Sequence, residues 1–330
     1  MRLPNWVGDV VMATPALAAL RAAHPEAEIV AEGKAYLAGL VRGLPSVDAF
    51  LPETRGALAR ARALRERRFA LAVLLPDSVR SALAPFLARV PVRAGYARDP
   101  LRRALLTHAL PPPRESGRRA PLSMVERYLR ITRRLGCPDV DRRTALAVDA
   151  AARESVAKRL GEAGLPPGAR TLVVTPGASF GSSKLWPPGH FAAACDALAR
   201  SHGLSVVLAP GPGEEALAAE IARTMQERPL VLAEPPTTLA ELVALIAGAA
   251  LHLGNDTGPR HIAVALGVPA VVLIGPTDPR HTAHQLERQR VLREDVACSP
   301  CGLKTCPIDQ RCMTRITPDR VVAAAAELLA

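Results

Sequence analysis

Leu253-Gly254-Asn255-Asp256-Thr257-Gly258-Pro259-Arg260-His261 is the stretch of this sequence that predicts the fold class most directly. A mostly apolar run, residues 249–253, leads into it, and a helical pattern, residues 262–266, follows it. We interpret the stretch as the end of a strand, a tight turn and the start of a helix. Such a turn directs backbone N–H groups and the positive end of a helix dipole at one point, which suits an anion. An ordinary capped turn between a strand and a helix has a similar sequence, so the turn alone leaves both interpretations open.

Several residues of this turn fit either interpretation. Gly254 and Gly258 let the backbone come close to a ligand, because glycine has no Cβ. Asp256 and Thr257 are residue types that cap helices, and a threonine hydroxyl also binds phosphate. His261 lies about one helical turn further on and is placed to face the same mouth.

The second half of the chain alternates strand and helix patterns. Alternation of this kind predicts a parallel sheet covered by helices on both faces, with ligands bound beyond the carboxyl ends of the strands. The length of 330 residues suffices for two domains, and we place them at residues 1–150 and 151–330. The strands of the second domain are predicted at residues 171–175, 205–209, 230–233, 250–253 and 270–274, and its helices at 188–201, 213–227, 238–247 and 259–267.

The first half has the same alternation in a less regular form. Residues 9–23 form a helical pattern, yet only three residues precede Pro4, where a βαβ unit needs its first strand. We therefore expect either a start codon several residues upstream or a very short first strand. Residues 97–120 are rich in Arg and Pro and predict a long exposed loop. The amphipathic pattern at residues 318–329 predicts a last helix that can pack on either domain, including back on the N-terminal one.

Charge is distributed unevenly along the chain. The net charge is +11, and residues 1–150 hold 25 Lys and Arg against 14 Asp and Glu, whereas residues 151–330 hold 17 of each. A basic first half predicts a polyanionic partner there, such as nucleic acid, an anionic membrane surface or a phosphorylated substrate; solvated arginine-rich helix faces are the simpler alternative. No apolar run approaches the ~18 residues of a membrane span, and the chain opens without a basic-then-apolar leader, so we expect a soluble cytoplasmic protein.

Four of the six cysteines cluster near the C-terminus. Cys298, Cys301, Cys306 and Cys312 are separated by two, four and five residues. In a cytosolic chain this pattern favours a metal over disulfides and makes zinc possible, with reduced thiols in a loop as the alternative. Cys137 and Cys195 stand alone and are expected to be small buried apolar residues.

Three further residues are candidates for chemistry. Lys184 follows the first strand of the second domain and can supply a point charge to phosphate oxygens, or is a surface lysine. Glu214, or its neighbour Glu215, begins a helix after a glycine turn and either accepts ribose hydroxyls or stabilises the helix dipole. Asp9 begins the first helix and is either a general base or a helix cap. Motifs of P-loop NTPases, serine hydrolases and zincins are absent from the sequence.

Taken together, these motifs resemble the ADP-heptose:lipopolysaccharide heptosyltransferases of glycosyltransferase family 9. The resemblance rests on residues 6–17, 184–187, 254–263 and 275–279, which match in order and spacing over nearly the whole chain. The opening Asn5-Trp6-Val7-Gly8-Asp9 and the four-cysteine tail are closer to the type II members. The resemblance implies an α/β GT-B fold, in which two Rossmann-like domains face a central cleft. It also implies that the acceptor binds the N-terminal domain and the nucleotide sugar binds the C-terminal domain.

The resemblance further implies an inverting transfer, without a metal cofactor, of heptose from ADP-L-glycero-D-manno-heptose to Kdo-lipid A that bears the first heptose. Asp9 would be the general base. Lys184 and the N–H groups around Thr257 and Gly258 would hold the departing diphosphate. Asp256 and His261 would line the donor pocket, and Glu214 would lie near the ribose.

The basic first half then fits a phosphorylated lipid acceptor at the cytoplasmic face of the inner membrane, to which the protein would bind peripherally. Arg60, Arg65, Arg68 and the loop 93–119 are the predicted contacts. Alternatives are heptosyltransferase I or III, and a GT-B nucleotide-sugar epimerase or hydrolase. A basic nucleic-acid-binding protein would also explain the charge, but the sequence has no recognisable helix or aromatic motif for it.

Overall fold

The computed structural model describes residues 1–115 and 118–330 and divides into two compact units. One unit comprises residues 1–147 and 280–284, and the other comprises residues 148–279 and 285–330. The sequence prediction placed a single boundary after residue 150 and did not include the segment 280–284. The predicted acceptor loop, 93–119, contains two residues, 116 and 117, that lie outside the described part of the chain.

The N-terminal unit alternates short strands and helices. Strand β1 pairs in parallel with β2, β3-β4-β5 form a second parallel sheet, and β6 and β7 form an antiparallel ribbon. The strands are β1 Val30–Gly33, β2 Ala49–Pro52, β3 Leu71–Leu74, β4 Val92–Tyr96, β5 His108–Leu110, β6 Arg114–Glu115 and β7 Arg118–Arg119. The helices are α1 Val7–Met12, α2 Thr14–Ala23, α3 Ala38–Val41, α4 Ala57–Glu66, α5 Val79–Leu87, α6 Pro100–Leu105 and α7 Met124–Arg134.

A single residue, Arg2, joins the two parallel sheets of this unit. It forms isolated parallel bridges to Glu32 in β1 and to Leu74 in β3. A cavity of about 240 Å³ with mainly apolar walls lies between β1 and β3, next to Arg2. The Met1 backbone nitrogen lies at this cavity and donates to the Val30 carbonyl oxygen at 2.6 Å.

The predicted long loop at residues 97–120 is wrong in its first half, which contains α6 and β5. Asp99 caps α6 by accepting from the Arg102 N–H at 2.8 Å. The Arg102 side chain is fully buried, and its guanidinium donates to the carbonyl oxygens of Pro76 and Tyr96 at 2.7 and 2.6 Å. This arginine therefore supports the sheet from inside, although its charge favoured an exposed loop in the sequence.

The C-terminal unit contains a six-stranded parallel sheet. Its strand order is β10-β9-β8-β11-β12-β13, and all pairings are parallel. The strands are β8 Thr171–Thr175, β9 Ser205–Leu208, β10 Leu230–Val231, β11 Leu251–Asn255, β12 Ala270–Ile274 and β13 Gln289–Arg293. The helices are α8 Ala150–Glu162, α9 Pro188–His202, α10 Glu215–Thr224, α11 Leu239–Ala247, α12 Gly258–Ala265, α13 Arg311–Thr314 and α14 Pro318–Leu329.

One feature of this unit differs from the sequence prediction. The edge strand β13 was missed, because its polar and charged residues do not form an apolar run. Of the two domains offered for the last helix, the C-terminal one contains the buried helix residues Val321, Ala324 and Ala325 in its core. That core also contains residues of β8, β11 and β12.

The helices are short. The predicted helix at residues 9–23 is two helices, α1 and α2, separated at Ala13. Within the described residues, none of the helices combines the length and the apolar character needed to cross a membrane.

Candidate active site

The turn after β11 lies at the carboxyl edge of the C-terminal sheet. Every residue of β11 is buried, and β8 lies beside it in parallel register. Asn255, the last residue of β11, donates from Nδ2 to the Pro176 carbonyl oxygen at 2.6 Å. This bond ties the turn after β11 to the turn after β8, so the two predicted ligand turns are held together.

Asp256 connects three other side chains at this edge of the sheet. Its Oδ2 accepts from Lys184 Nζ at 3.1 Å and from Thr277 Oγ1 at 2.8 Å, and its Oδ1 accepts from Arg260 Nη1 at 2.7 Å. Lys184 Nζ also donates to the Asp256 carbonyl oxygen at 2.6 Å. Of the two interpretations left open for Asp256, capping of the following helix does not apply, because its carboxylate binds these three partners and the cap residue is Thr257.

The electrostatics of this cluster favour an anionic ligand. Burial alone would raise the pKa of Asp256, but the charges of Arg260 and Lys184 outweigh it and hold that pKa well below the usual range of a carboxyl group. Asp256, Arg260, Lys184 and His261 are all buried. The side chains of Lys184 and Arg260 thus meet at one carboxylate beside the N-terminus of α12, where the helix dipole is also positive.

The start of α12 provides backbone donors. Thr257 is the cap residue, in extended conformation, but its side chain makes no capping hydrogen bond. The Thr257 N–H donates to the Asn255 carbonyl oxygen at 2.7 Å, so it is already used within the turn. The N–H groups of the first helical turn, beginning at Gly258, have no acceptor within the helix by the geometry of an α-helix. They are therefore better placed for an anion than the Thr257 N–H that the sequence suggested.

Glu214 connects two glycine turns of the same sheet edge. Its Oε2 accepts from the Gly211 N–H at 2.7 Å, and it also accepts from the Ala178 N–H. A Cβ on Gly177 would lie 1.7 Å from the Glu214 carboxyl carbon, so a larger residue here would displace the Glu214 carboxylate. Burial raises the pKa of Glu214. Glu215 instead accepts from the Gly213 N–H of its own turn at 3.0 Å.

Asp9 belongs to the N-terminal unit. It is half-buried in the first turn of α1, where an acidic residue interacts well with the helix dipole. The cap residue of this helix is the exposed Trp6, which makes no side-chain capping bond. The position of Asp9 is compatible with a general base and with a residue that stabilises its helix.

The three arginines predicted to meet an acceptor have different environments. Arg60 is buried and its guanidinium pairs with both carboxylate oxygens of Glu32, so it has an internal role instead of the predicted surface contact. Arg65 and Arg68 are exposed. Arg65 donates to the Leu87 carbonyl oxygen. Only the last two thus present their charge at the surface.

The four clustered cysteines line one small pocket of about 70 Å³. Cys298 and Cys301 are exposed, Cys306 is half-buried and Cys312 is buried. In the part of the chain that the structure describes, no three His, Cys, Asp or Glu side chains are gathered in a way that could hold a metal ion. The zinc alternative gains no support from this geometry. Cys137 and Cys195 are buried, as expected.

Sequence reasoning missed two members of the cluster around Asp256. Arg260 and Thr277 both lie in motifs that were noticed, but neither was given a role. The spacing of Asp256 and Arg260, four residues apart across a helix start, is a signal for an ion pair. Thr277 comes from another strand end, and its contact with Asp256 depends on how the strands are ordered in the sheet.

Comparison with known proteins decides the family. The model of glycosyltransferase family 9 (heptosyltransferase) matches residues 57–311. This chain belongs to glycosyltransferase family 9.

Relatives within family 9 cover most of the chain. Lipopolysaccharide heptosyltransferase 2 of Salmonella typhimurium is 32% identical over 321 residues, covering 88% of this chain and 86% of that protein. The solved structure of ADP-heptose lipopolysaccharide heptosyltransferase II of Escherichia coli has a TM-score of 0.81 at 28% identity, covering 99% of this chain and 97% of that one. A more distant relative, lipopolysaccharide heptosyltransferase 3 of Escherichia coli, is 29% identical over 82% of this chain and 81% of its own length.

Membership of family 9 confirms three predictions. The chain is a glycosyltransferase, its fold is of the GT-B class, and it is similar to heptosyltransferases of type II over most of its length. The alternatives of a nucleotide-sugar epimerase or hydrolase and of a nucleic-acid-binding protein are thereby set aside.

Proposed function

We propose that this family 9 enzyme transfers heptose from ADP-heptose to the phosphorylated inner core of lipopolysaccharide, as heptosyltransferase II. The observation that carries the proposal is the buried cluster of Lys184, Asp256 and Arg260 at the N-terminus of α12. Two cationic side chains beside the positive end of a helix dipole suit the diphosphate of a nucleotide sugar. The 32% identity to a heptosyltransferase 2 supports the choice of donor and acceptor class.

The proposed reaction is a single displacement that inverts the anomeric carbon. An acceptor hydroxyl oxygen attacks C1 of the heptose, the bond from C1 to the diphosphate oxygen breaks, and ADP leaves. Asp9 takes the proton of the attacking hydroxyl. Lys184, Arg260 and the first N–H groups of α12 stabilise the negative charge that develops on the leaving diphosphate. These fixed cations give the transfer a source of charge stabilisation that needs no metal ion.

The remaining site residues have supporting roles in this proposal. His261 and Thr257 line the donor pocket beside Asp256, and Gly258 lets the diphosphate approach the helix start. Glu214, which joins the turns after β8 and β9, is assigned to the ribose end. Its carboxylate can accept a hydrogen bond from a ribose hydroxyl.

The basic N-terminal unit is proposed to receive the acceptor. Arg65 and Arg68 are exposed on and just after α4 and fit phosphate groups of the lipid A–core region. The same surface charge would draw the enzyme to the cytoplasmic face of the inner membrane, where the anionic acceptor lies.

The test is incubation with ADP-heptose and purified acceptors that are truncated at successive core sugars, with products read by mass spectrometry. Addition of one heptose only to Kdo-lipid A that already bears a heptose supports the type II assignment. Addition to Kdo-lipid A without heptose would instead identify heptosyltransferase I. Addition only to a longer core would identify heptosyltransferase III, and release of free heptose without transfer would contradict the proposal.

A further inference from the structure

The segment that contains the four cysteines packs against the loop that presents Lys184. We name residues 298–312 the cysteine segment. Ser183, the residue before Lys184, donates from its N–H to the Lys304 carbonyl oxygen at 3.0 Å and from Oγ to the Leu303 carbonyl oxygen at 2.6 Å. On the other side of the loop, a Cβ at Gly181 would lie 2.3 Å from the Lys304 carbonyl oxygen. The cysteine segment and the Lys184 loop are thus in direct backbone contact.

Gln310 makes the most specific contact between them. Its side-chain Nε2 donates to the Ser182 carbonyl oxygen at 2.7 Å and to the Leu185 carbonyl oxygen at 2.9 Å. These two carbonyl groups lie on either side of Lys184 in the sequence. Both N–H bonds of one amide therefore fix the backbone that carries Lys184.

The backbone of Gln310 is itself unusual. Its φ is 56°, in the left-handed region that glycine and asparagine adopt more readily than glutamine. Residues held in such conformations persist when the surrounding structure fixes them, and they are enriched at functional sites. The two hydrogen bonds of the side chain supply that fixation here.

The cysteine segment also contacts the loop that carries Thr277, another partner of Asp256. Ser299 Oγ donates to the Gly275 carbonyl oxygen at 2.7 Å, and the Gly302 N–H donates to the Pro276 carbonyl oxygen at 2.8 Å. Thr277, which donates to Asp256, follows directly. The cysteine segment therefore supports two of the side chains that meet at Asp256.

We propose that Gln310 is a positioning residue, which fixes the Lys184 ammonium group for the diphosphate of the donor through the carbonyl groups of Ser182 and Leu185. This inference rests on the proposed function, because it assumes that Lys184 binds the diphosphate. A glutamate at position 310 keeps the shape of the side chain but presents carboxylate oxygens to two carbonyl oxygens. The Lys184 loop then loses both bonds and gains repulsion, so the ammonium group moves from its place beside Asp256.

The experiment compares three variants of the full-length enzyme, with ADP as the probe in calorimetric titrations and thermal unfolding measured without ligand. Gln310→Glu should raise the Kd for ADP about tenfold, the size expected for the loss of one well-placed hydrogen-bonding contact. Gln310→Asn retains an amide and favours the left-handed backbone, but it is one methylene too short to reach both carbonyl groups. It should also weaken ADP binding. Gln226→Glu is the matched control, since it makes the same charge change at an exposed position after α10, and should leave the Kd unchanged.

The outcomes separate positioning from simple stabilisation. A Kd for ADP in Gln310→Glu equal to that of the wild type overturns the inference, even if the variant unfolds at a lower temperature. A Gln310→Asn variant that binds ADP like the wild type also overturns it, because the backbone conformation alone would then suffice. If the wild-type enzyme does not bind ADP, the proposed function itself fails, which this comparison reveals before any variant is considered.

Discussion

Lys184 Nζ lies 2.6 Å from the carbonyl oxygen of Asp256 and 3.1 Å from its Oδ2, so one ammonium group binds both the backbone and the side chain of the same residue. The bond to the backbone positions Lys184 on the turn itself, and the bond to the carboxylate neutralises part of its charge. Arg260 binds the other carboxylate oxygen at 2.7 Å. An anion that arrives at α12 therefore meets cations whose positions are already fixed.

The first prediction concerns the stability supplied by this carboxylate. Asp256→Asn leaves Lys184 and Arg260 buried without their anion and should lower the free energy of unfolding by about 3–5 kcal/mol, measured by urea unfolding at pH 7. Asp196→Asn is the matched control, because buried Asp196 accepts from the N–H groups of Gln226 and Glu227 and forms no ion pair with any of residues 1–115 and 118–330. It should lose only about 1–2 kcal/mol. Equal losses would contradict the special role of Asp256.

The same carboxylate predicts a pH dependence. The pKa of Asp256 is lower in the folded protein than in the unfolded chain, so its contribution is present above the unfolded pKa, about 4, and is lost as pH falls towards the folded pKa. The wild type should therefore lose stability more steeply below pH 4 than Asp256→Asn does. Parallel curves for the two proteins in acid titrations of unfolding would count against this assignment.

The second prediction concerns Asp9. Asp9→Asn removes the proposed base and should lower kcat by about 10²–10⁴-fold. The Kd for ADP should stay unchanged, because the Lys184 and Asp256 cluster proposed to bind ADP is in the other unit. Transfer rates and ADP titrations measure the two effects separately. Asp139→Asn, an exposed carboxylate paired with Arg133, is the control and should retain full activity. A near-wild-type rate in Asp9→Asn would show that another group takes the proton.

The third prediction concerns the basic surface around α4. Changing Arg65 and Arg68 to glutamate should raise KM for the phosphorylated acceptor by about tenfold and leave the Kd for ADP unchanged, because charge reversal removes two attractions and adds two repulsions. Arg223 and Arg228 are exposed in the C-terminal unit. Changing both to glutamate makes the same charge change there and should leave the acceptor KM and the Kd for ADP unaltered. An unchanged acceptor KM in the first variant would remove this surface from the acceptor site.

The sequence was most informative where apolar runs alternate with amphipathic stretches. Runs such as residues 270–274 predicted the C-terminal sheet, because a strand buried on both faces needs little beyond its own sequence to be recognised. The glycine turns at strand ends likewise predicted which edge of the sheet holds the candidate site. Family resemblance added the roles of single residues that spacing alone left open.

Long-range pairing explains what sequence reasoning missed. Arg102 and Arg60 were assigned to exposed segments because of their charge, yet each is buried with partners distant in the chain. Asp256 binds other side chains instead of capping a helix, because Lys184 and Thr277, which follow two other strands, donate to its carboxylate. Such contacts follow from the order of the strands, which no local pattern specifies.

The two tryptophans of the chain are placed as natural optical reporters. Trp6 is 56% exposed and precedes Asp9 by three residues, whereas Trp186 is fully buried, follows Lys184 by two residues and donates from Nε1 to the Ile316 carbonyl oxygen at 2.9 Å. Each unit thus carries one fluorophore beside a residue proposed for its chemistry, and the two emit from a polar and an apolar environment. Replacing Trp6 by phenylalanine would leave Trp186 alone to follow the Lys184 loop by its emission in real time, without any attached dye.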